Sequence, residues 1–407
     1  MTPQEIRHAW LARDEIAVFD LRDEHPFASG HPLFAAQLPP HRIAVEIKPR
    51  VPRRTTPIVV YDNGEGLVEG AITQLTALGY TNVSALDGGL TAWKAAGYEL
   101  FQDVNSYSKA FGELVEVRRH TPSLAASDLQ ALIDEKADIA ILDARRFDEY
   151  ATMNIPTSTS VPGGELVLRA RTAAPDPDTV IIVNCAGRTR SIIGTQSLIN
   201  AGIPNRVLAL RNGTIGWTLA GQTLDKGQTR RIAEIAPAQR EAARGEARDV
   251  AYRAGVRRID APALARLAAE TDRTLYRFDV RTPEEHAAGH PTSFVGAPGG
   301  QLVQETDHFA PVRGARIVLA DDIGPRADMT ASWLAQMGWD VLVLDGGFEG
   351  PLDTGPTALP PRGPEGRYKR PYEGTDNAAA AMQAYLDWEY GLVDQLARDG
   401  THGFVVI

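Results

Sequence analysis

Val180–Ser191 reads VIIVNCAGRTRS, and this stretch decides the fold. Val180–Val183 is a run of uncharged β-branched residues, as a strand buried on both faces requires. Cys185–Arg190 is a six-residue loop holding one glycine and two arginines. Ser191 opens a helical run, SIIGTQSLINAG, with Ile192, Ile193 and Leu198 on one face and Gly202 at the C-cap position. Strand, tight loop and helix together aim backbone N–H groups at one point above the loop. That is an anion site with a cysteine at its start.

A thiol is a weak nucleophile until it becomes a thiolate. Arginine charges and a helix N-terminus favour the thiolate, and Cys185 has Arg188 and Arg190 in its own loop. The plain alternative is a buried cysteine acting as a small hydrophobe. A charged loop directly before a helix start argues against it.

Cys-x-x-x-x-Arg-Ser after a buried strand resembles the active loop of the rhodanese family of sulfurtransferases. The resemblance implies that Cys185 takes the outer sulfur of a donor as a persulfide and passes it to a thiophilic acceptor. It implies substrate contacts from Ala186, Gly187, Arg188, Thr189, Arg190 and Ser191, with no cofactor and no metal. Phosphatases of the same fold carry one more loop residue, which would put the arginine at position 191. Position 191 is Ser, so the shorter, sulfur-transfer loop is present.

Outward from this loop the chain repeats itself. FDLRDEHPFASGH begins at Phe19, LDARRFDEYATMN at Leu142 and FDVRTPEEHAAGH at Phe278. Each holds Asp-x-Arg: Asp20 and Arg22, Asp143 and Arg145, Asp279 and Arg281. Apolar runs follow, PIVVYD, VIIVNC and RIVLAD, and end at Asp62, Cys185 and Asp321, always 42 residues after the first Asp. The chain therefore reads as three tandem copies of one βα module, all resembling rhodanese domains. The fold expected is α/β: doubly wound modules, mostly parallel sheets, helices on both faces, and the site beyond the strands' carboxyl ends. The copies are placed at 1–105, 106–228 and 250–355, with a solvated helical linker at 229–249 and a linker plus helix at 356–407.

The first and third copies lack the nucleophile. A carboxylate at Asp62 or Asp321 repels an anionic donor and cannot hold a persulfide. Arg326 keeps the position of Arg190, which leaves weak anion binding in the third copy as an expectation. Asp143 and Arg145 read as a structural pair with a supporting role. His286 and His290 read as structural. Helix starts are expected at Thr2, Ser127–Asp128 and Asp260. Ala378–Arg398 reads as one helix carrying Met382, Tyr385, Leu386, Leu392 and Leu396 near one face. It could dock on another domain, form a dimer contact or cover Cys185.

Composition bounds the rest. The chain has 407 residues, a net charge of −10 and one cysteine. The charge argues against nucleic acid or an anionic membrane as partner. One cysteine excludes a disulfide framework and a Cys-rich zinc site. No apolar run approaches the ~20 residues of a membrane span, and no signal-like segment opens the chain, so the expected location is cytoplasmic. The partners implied are a small anionic sulfur donor and a thiol, cyanide or sulfite-like acceptor, with a protein acceptor or homodimer left open. The family divides between thiosulfate and 3-mercaptopyruvate users. Two arginines in the loop favour thiosulfate, although Ala186 stands where many thiosulfate enzymes have a basic residue. A 3-mercaptopyruvate enzyme and a non-catalytic sulfur carrier or sensor remain alternatives; a phosphatase or arsenate reductase is disfavoured by loop length.

Overall fold

A computed structural model describes residues 1–232, 234–357 and 373–407. Every copy is built on one step, an apolar strand ending in Asp beside an apolar strand ending at a loop. In the middle copy Ile139–Asp143 lies parallel to Val180–Asn184, with Asp143 opposite Asn184. In the first copy Asp20 stands opposite Tyr61, and in the third Asp279 stands opposite Ala320. The register thus sets each Asp beside the residue that precedes the loop.

The middle sheet runs Ser123–Leu124, Val207–Leu210, Val180–Asn184, Ile139–Asp143, Thr159–Ser160, all parallel. Its central strand is buried on both faces. Ile181 and Val183 pack in one core with Leu166 and Leu198, and Ile182 packs in another with Leu129 and Trp217. The third sheet repeats this order as Arg257–Ile259, Asp340–Leu344, Arg316–Ala320, Leu275–Asp279, Val295–Gly296. In the first copy the strand Ile16–Asp20 also pairs with Val312–Arg313 of the third, antiparallel. The fold is three doubly wound α/β modules, as the repeats imply.

The modules share cores. Phe19, Val60 and Trp93 of the first belong to one apolar cluster with Phe278, Leu319 and Trp333 of the third. The middle and third copies meet through their Pro-Gly-Gly turns. A Cβ on Gly164 would stand 3.0 Å from the Gly300 nitrogen, and one on Gly300 would stand 3.1 Å from the Gly164 nitrogen. Backbone meets backbone there, which only glycine permits.

Three segments differ from the sequence reading. The linker helix is Pro237–Arg253, and it is not solvated all round: Ala243, Ala247, Val250 and Ala251 are buried. They form an i, i+4, i+7, i+8 stripe that packs on the helices Pro325–Gln336 and Leu166–Ala173. Small alanines among many charges made the stripe inconspicuous. The tail is two helices, Ala378–Tyr390 and Leu392–Asp399, meeting at Gly391, with Leu386, Leu392 and Leu396 buried. Most of the expected Pro/Gly linker, at 358–372, lies outside the described residues. The other starts hold closely: Thr2 and Asp260 cap their helices, and the middle one begins at Ala126, one residue before Ser127.

Gly164→Ala should destabilise the protein by about 1–3 kcal/mol through overpacking. Gly70→Ala, on an exposed helix position with nothing within 4 Å of its Cβ, should be neutral or stabilising by up to about 1 kcal/mol. Urea denaturation of the two variants against wild type checks the contrast.

Candidate active site

The loop is anchored from below. Arg145 Nε and Nη2 donate to the two Asp143 oxygens at 2.9 and 2.7 Å, and Nη2 also donates to the Met153 carbonyl at 2.6 Å. Asn184 Nδ2 donates to Asp143 Oδ2 at 3.0 Å, which ties this pair to the residue preceding Cys185. The other copies repeat it: Arg22 spans Asp20 and the Gly30 carbonyl, and Arg281 spans Asp279 and the Gly289 carbonyl. The arginine reads a backbone carbonyl, so Met153 serves where the other copies have glycine. Asp143 and Arg145 are buried and brace the loop from outside the cavity. His286 likewise serves the third copy's pair, with Nδ1 at 3.0 Å from Asp279 Oδ2 and its ring stacked on His290.

The loop's carbonyls are turned away from the site. Cys185 O accepts from Thr214 N at 2.9 Å and Ala186 O from Ile215 N at 3.0 Å. This docking needs Gly213, whose φ is +54° and whose Cβ would stand 2.3 Å from Cys185 O. Arg188 O accepts from Ser191 Oγ at 2.8 Å, and Ser191 Oγ in turn lies 3.5 Å from Cys185 Sγ. Among the described residues the N–H groups of Ala186 through Ser191 meet no acceptor. They open, with the 2% exposed Cys185, on a cavity of about 270 Å³ that all six of Cys185–Arg190 line. An arc of unpaired N–H groups at a helix start is suited to an anion.

In the other copies part of the same arc is taken up from within. Asp62 accepts from Gly64 N at 3.0 Å and Leu67 N at 2.7 Å. Asp321 accepts from Ile323, Gly324 and Arg326 N–H groups at 3.2, 2.9 and 2.9 Å. A carboxylate sits where a bound anion would. The Arg326 guanidinium already contacts Asp321, Asp322, Glu165 and Glu285, which argues against the weak anion binding expected there.

The two loop arginines part company. Arg190 makes a bidentate pair with Glu149, at 2.7 and 3.0 Å. Burial would raise the Glu149 carboxyl, but Arg190, then Arg146 and Arg145, hold it at about 2. Arg188 was expected to reach the donor together with Arg190. Its guanidinium is instead committed to Glu113, at 2.7 and 2.8 Å, and to Glu116 and Asn212, with the Tyr390 ring 3.9 Å away. Both glutamates lie on the helix Ser106–Arg119. Both arginines line the cavity beside Cys185, each held by a glutamate.

Residues 3–96, 125–220 and 261–352 each match the rhodanese-like domain. The chain belongs to the rhodanese-like domain family. Over 100% of its length it is 51% identical to the thiosulfate sulfurtransferase of Pseudomonas aeruginosa, covering 99% of that chain with a TM-score of 0.94. On this likeness it is a sulfurtransferase of the rhodanese type. Partial likenesses include the Alr3790 protein of Anabaena sp. (26% identity, 26% of this chain and 83% of that one, TM-score 0.24). Another is a Rhodopseudomonas palustris protein of unknown function described as a possible tyrosine phosphatase (26% identity, 28% and 91%, TM-score 0.25). No curated protein sequence matches. No helix among the described residues is long and apolar enough to cross a membrane.

The rhodanese-like repeats build one side of the cavity, and segments outside them build the other. Lys109 comes from the helix Ser106–Arg119, and Tyr385 and Glu389 come from the tail. The tail docks on the first copy, as one of the three expected placements had it, through Asp399 with Arg7 and Arg398 with Glu99, and its Tyr385 and Glu389 also reach the Cys185 cavity. Sequence reasoning missed Glu149, Lys109 and Glu389. Glu149 had a signal. Glu149 to Arg190 and Glu285 to Arg326 are both pairs 41 residues apart, while the first copy has Pro26 and Leu67 at those positions. The two members are lost together. Lys109 and Glu389 lie outside the repeats and had no such signal.

The Glu149 shift fixes a pH dependence. Its carboxyl is depressed from 4.5 to about 2 in the folded chain, so the pair's stabilisation is present above about pH 4.5 and is lost as pH falls toward 2. Glu149→Gln should therefore lower the urea midpoint at neutral pH and show a shallower acid decline over that window. Denaturation series at several pH values check it.

Proposed function

We propose that the protein transfers a sulfane sulfur from a small anionic donor, thiosulfate by preference, to a thiophilic acceptor through a persulfide on Cys185. The Cys185 thiolate attacks the donor's outer sulfur. A new S–S bond forms, the donor's S–S bond breaks, and sulfite leaves with the electron pair. The acceptor then attacks the terminal persulfide sulfur, and the Cys185 thiolate leaves.

The observation that carries this reading is the unsatisfied arc of N–H groups around the one cysteine, set against its partial satisfaction by aspartate in both other copies. The arc can hold the donor anion and then the terminal persulfide sulfur. Both loop arginines are paired with glutamates, so the attraction for an anion rests on the N–H arc and the helix start. Hydrogen bonds to an ionised group are roughly twice as strong as neutral ones, and this favours a compact dianion over 3-mercaptopyruvate. The full-length likeness to a thiosulfate sulfurtransferase supports the same donor. The six-residue loop speaks against phosphoryl transfer.

Wild type incubated with thiosulfate should gain one sulfur by intact mass and give thiocyanate on adding cyanide. Cys185→Ser, a near-isosteric change, should stay folded and do neither. Turnover retained in Cys185→Ser, or a higher kcat/KM for 3-mercaptopyruvate than for thiosulfate in wild type, would overturn the mechanism or the donor respectively.

A further inference from the structure

The tail contributes a buried carboxyl to the Cys185 cavity. Glu389 is 1% exposed. Its Oε1 accepts from the Tyr385 hydroxyl at 3.1 Å, and its Oε2 has no hydrogen-bond partner among the described residues. That oxygen faces the active loop: a Cβ on Gly187 would stand 3.3 Å from it. An unpaired buried polar atom is costly. One that borders an anion cradle calls for a functional explanation.

The tail that carries it is firmly seated. Lys109 Nζ lies over the Tyr385 and Trp388 rings at 5.3 and 5.5 Å. The Tyr390 hydroxyl donates to Asn212 Oδ1 at 3.1 Å, and Leu386 and Leu392 are buried. Glu389 is thus held in the wall of the cavity that the loop lines, beside Gly187.

We propose that the tail completes the donor site, with the Glu389 Oε2–H donating a hydrogen bond to a sulfonate oxygen of the anion that Cys185 attacks. This rests on the reading of an anionic sulfane donor above. The N–H groups of the loop would hold the anion from one side and Glu389 from the other. An ionised carboxylate there would repel a dianion, so the group must carry its proton to serve.

Its surroundings keep the proton on. Burial disfavours the charged form, and Glu113 repels it; Lys109, Arg188 and the Tyr385 hydroxyl act in the opposite sense, and the outcome is about 8. The two nearby cations are engaged elsewhere, Lys109 with Asp103 at 2.6 Å and Arg188 with Glu113 and Glu116. Donor binding should therefore weaken as pH rises through about 8.

The test separates the two half-reactions of the full chain. Persulfide formation with thiosulfate is followed by intact mass in a single turnover, and discharge by cyanide is timed separately, both across pH. At about pH 6.5, Glu389→Ala should slow persulfide formation at limiting thiosulfate about 10- to 100-fold, as for one lost hydrogen bond to an ion, with discharge within about threefold. Glu389→Gln keeps the size and a donor, so it should recover most of that loss. Its rate should also lack the wild-type decline above about pH 8. Thermal melts of both variants establish that the tail stays docked. Folded variants that match wild type in persulfide formation, or that are impaired only in discharge, would overturn the assignment. Wild type that takes up no sulfur from thiosulfate would sink the donor reading itself and this proposal with it.

Discussion

Everything at the site follows from how six backbone N–H groups are satisfied. A strand that ends in a tight turn into a helix leaves donors with no intrahelical partner. In two of the three copies an aspartate at the turn's first position takes up two or three of them. In the middle copy the first residue is Cys185, which cannot, and the carbonyls of the same turn are occupied by the helix that begins at Gly213. One substitution at an equivalent position therefore separates a partly self-satisfied loop from one that wants an anion. Asp62 and Asp321 are better seen as permanent internal ligands than as damaged nucleophiles.

The charges around the loop are arranged for position before attraction. Arg190 and Glu149 join the loop to the helix Phe147–Thr152, which directly follows the strand ending in Asp143. Arg188 joins it to the helix Ser106–Arg119, which connects the first copy to the second. The middle module is thus held by neighbours on several sides. It packs on the third through glycine turns and on the linker helix through an alanine stripe. The tail closes over what remains. The flanking modules and connectors account for the cavity's shape, which one rhodanese-like unit would not supply.

Much of this was legible in the sequence. The unbroken apolar run in VIIVN, the fixed spacing from Asp-x-Arg to the loop, and its threefold repetition carried the fold, because they report burial on both faces, the register and the βα step directly. Cys185 and its loop were legible for the same reason. The partners of the arginines were not. Glu113 and Glu116 reach Arg188 from a helix 72 to 75 residues earlier, and no local pattern encodes that distance. Glu389 is one of two acids on the helix Ala378–Tyr390, far along the chain from the loop. The linker helix was misjudged because alanines bury a narrow face without raising hydrophobicity much.

The most direct test of this account is a crystal structure of the protein after exposure to thiosulfate. The account predicts one extra sulfur, bonded to Cys185 Sγ and within hydrogen-bond reach of N–H groups from Ala186 to Ser191. The Asp62 and Asp321 loops should keep their internal carboxylate bonds. An oxyanion bound in either aspartate loop, or an active crystal in which the sulfur lies outside the Cys185 arc, would contradict it.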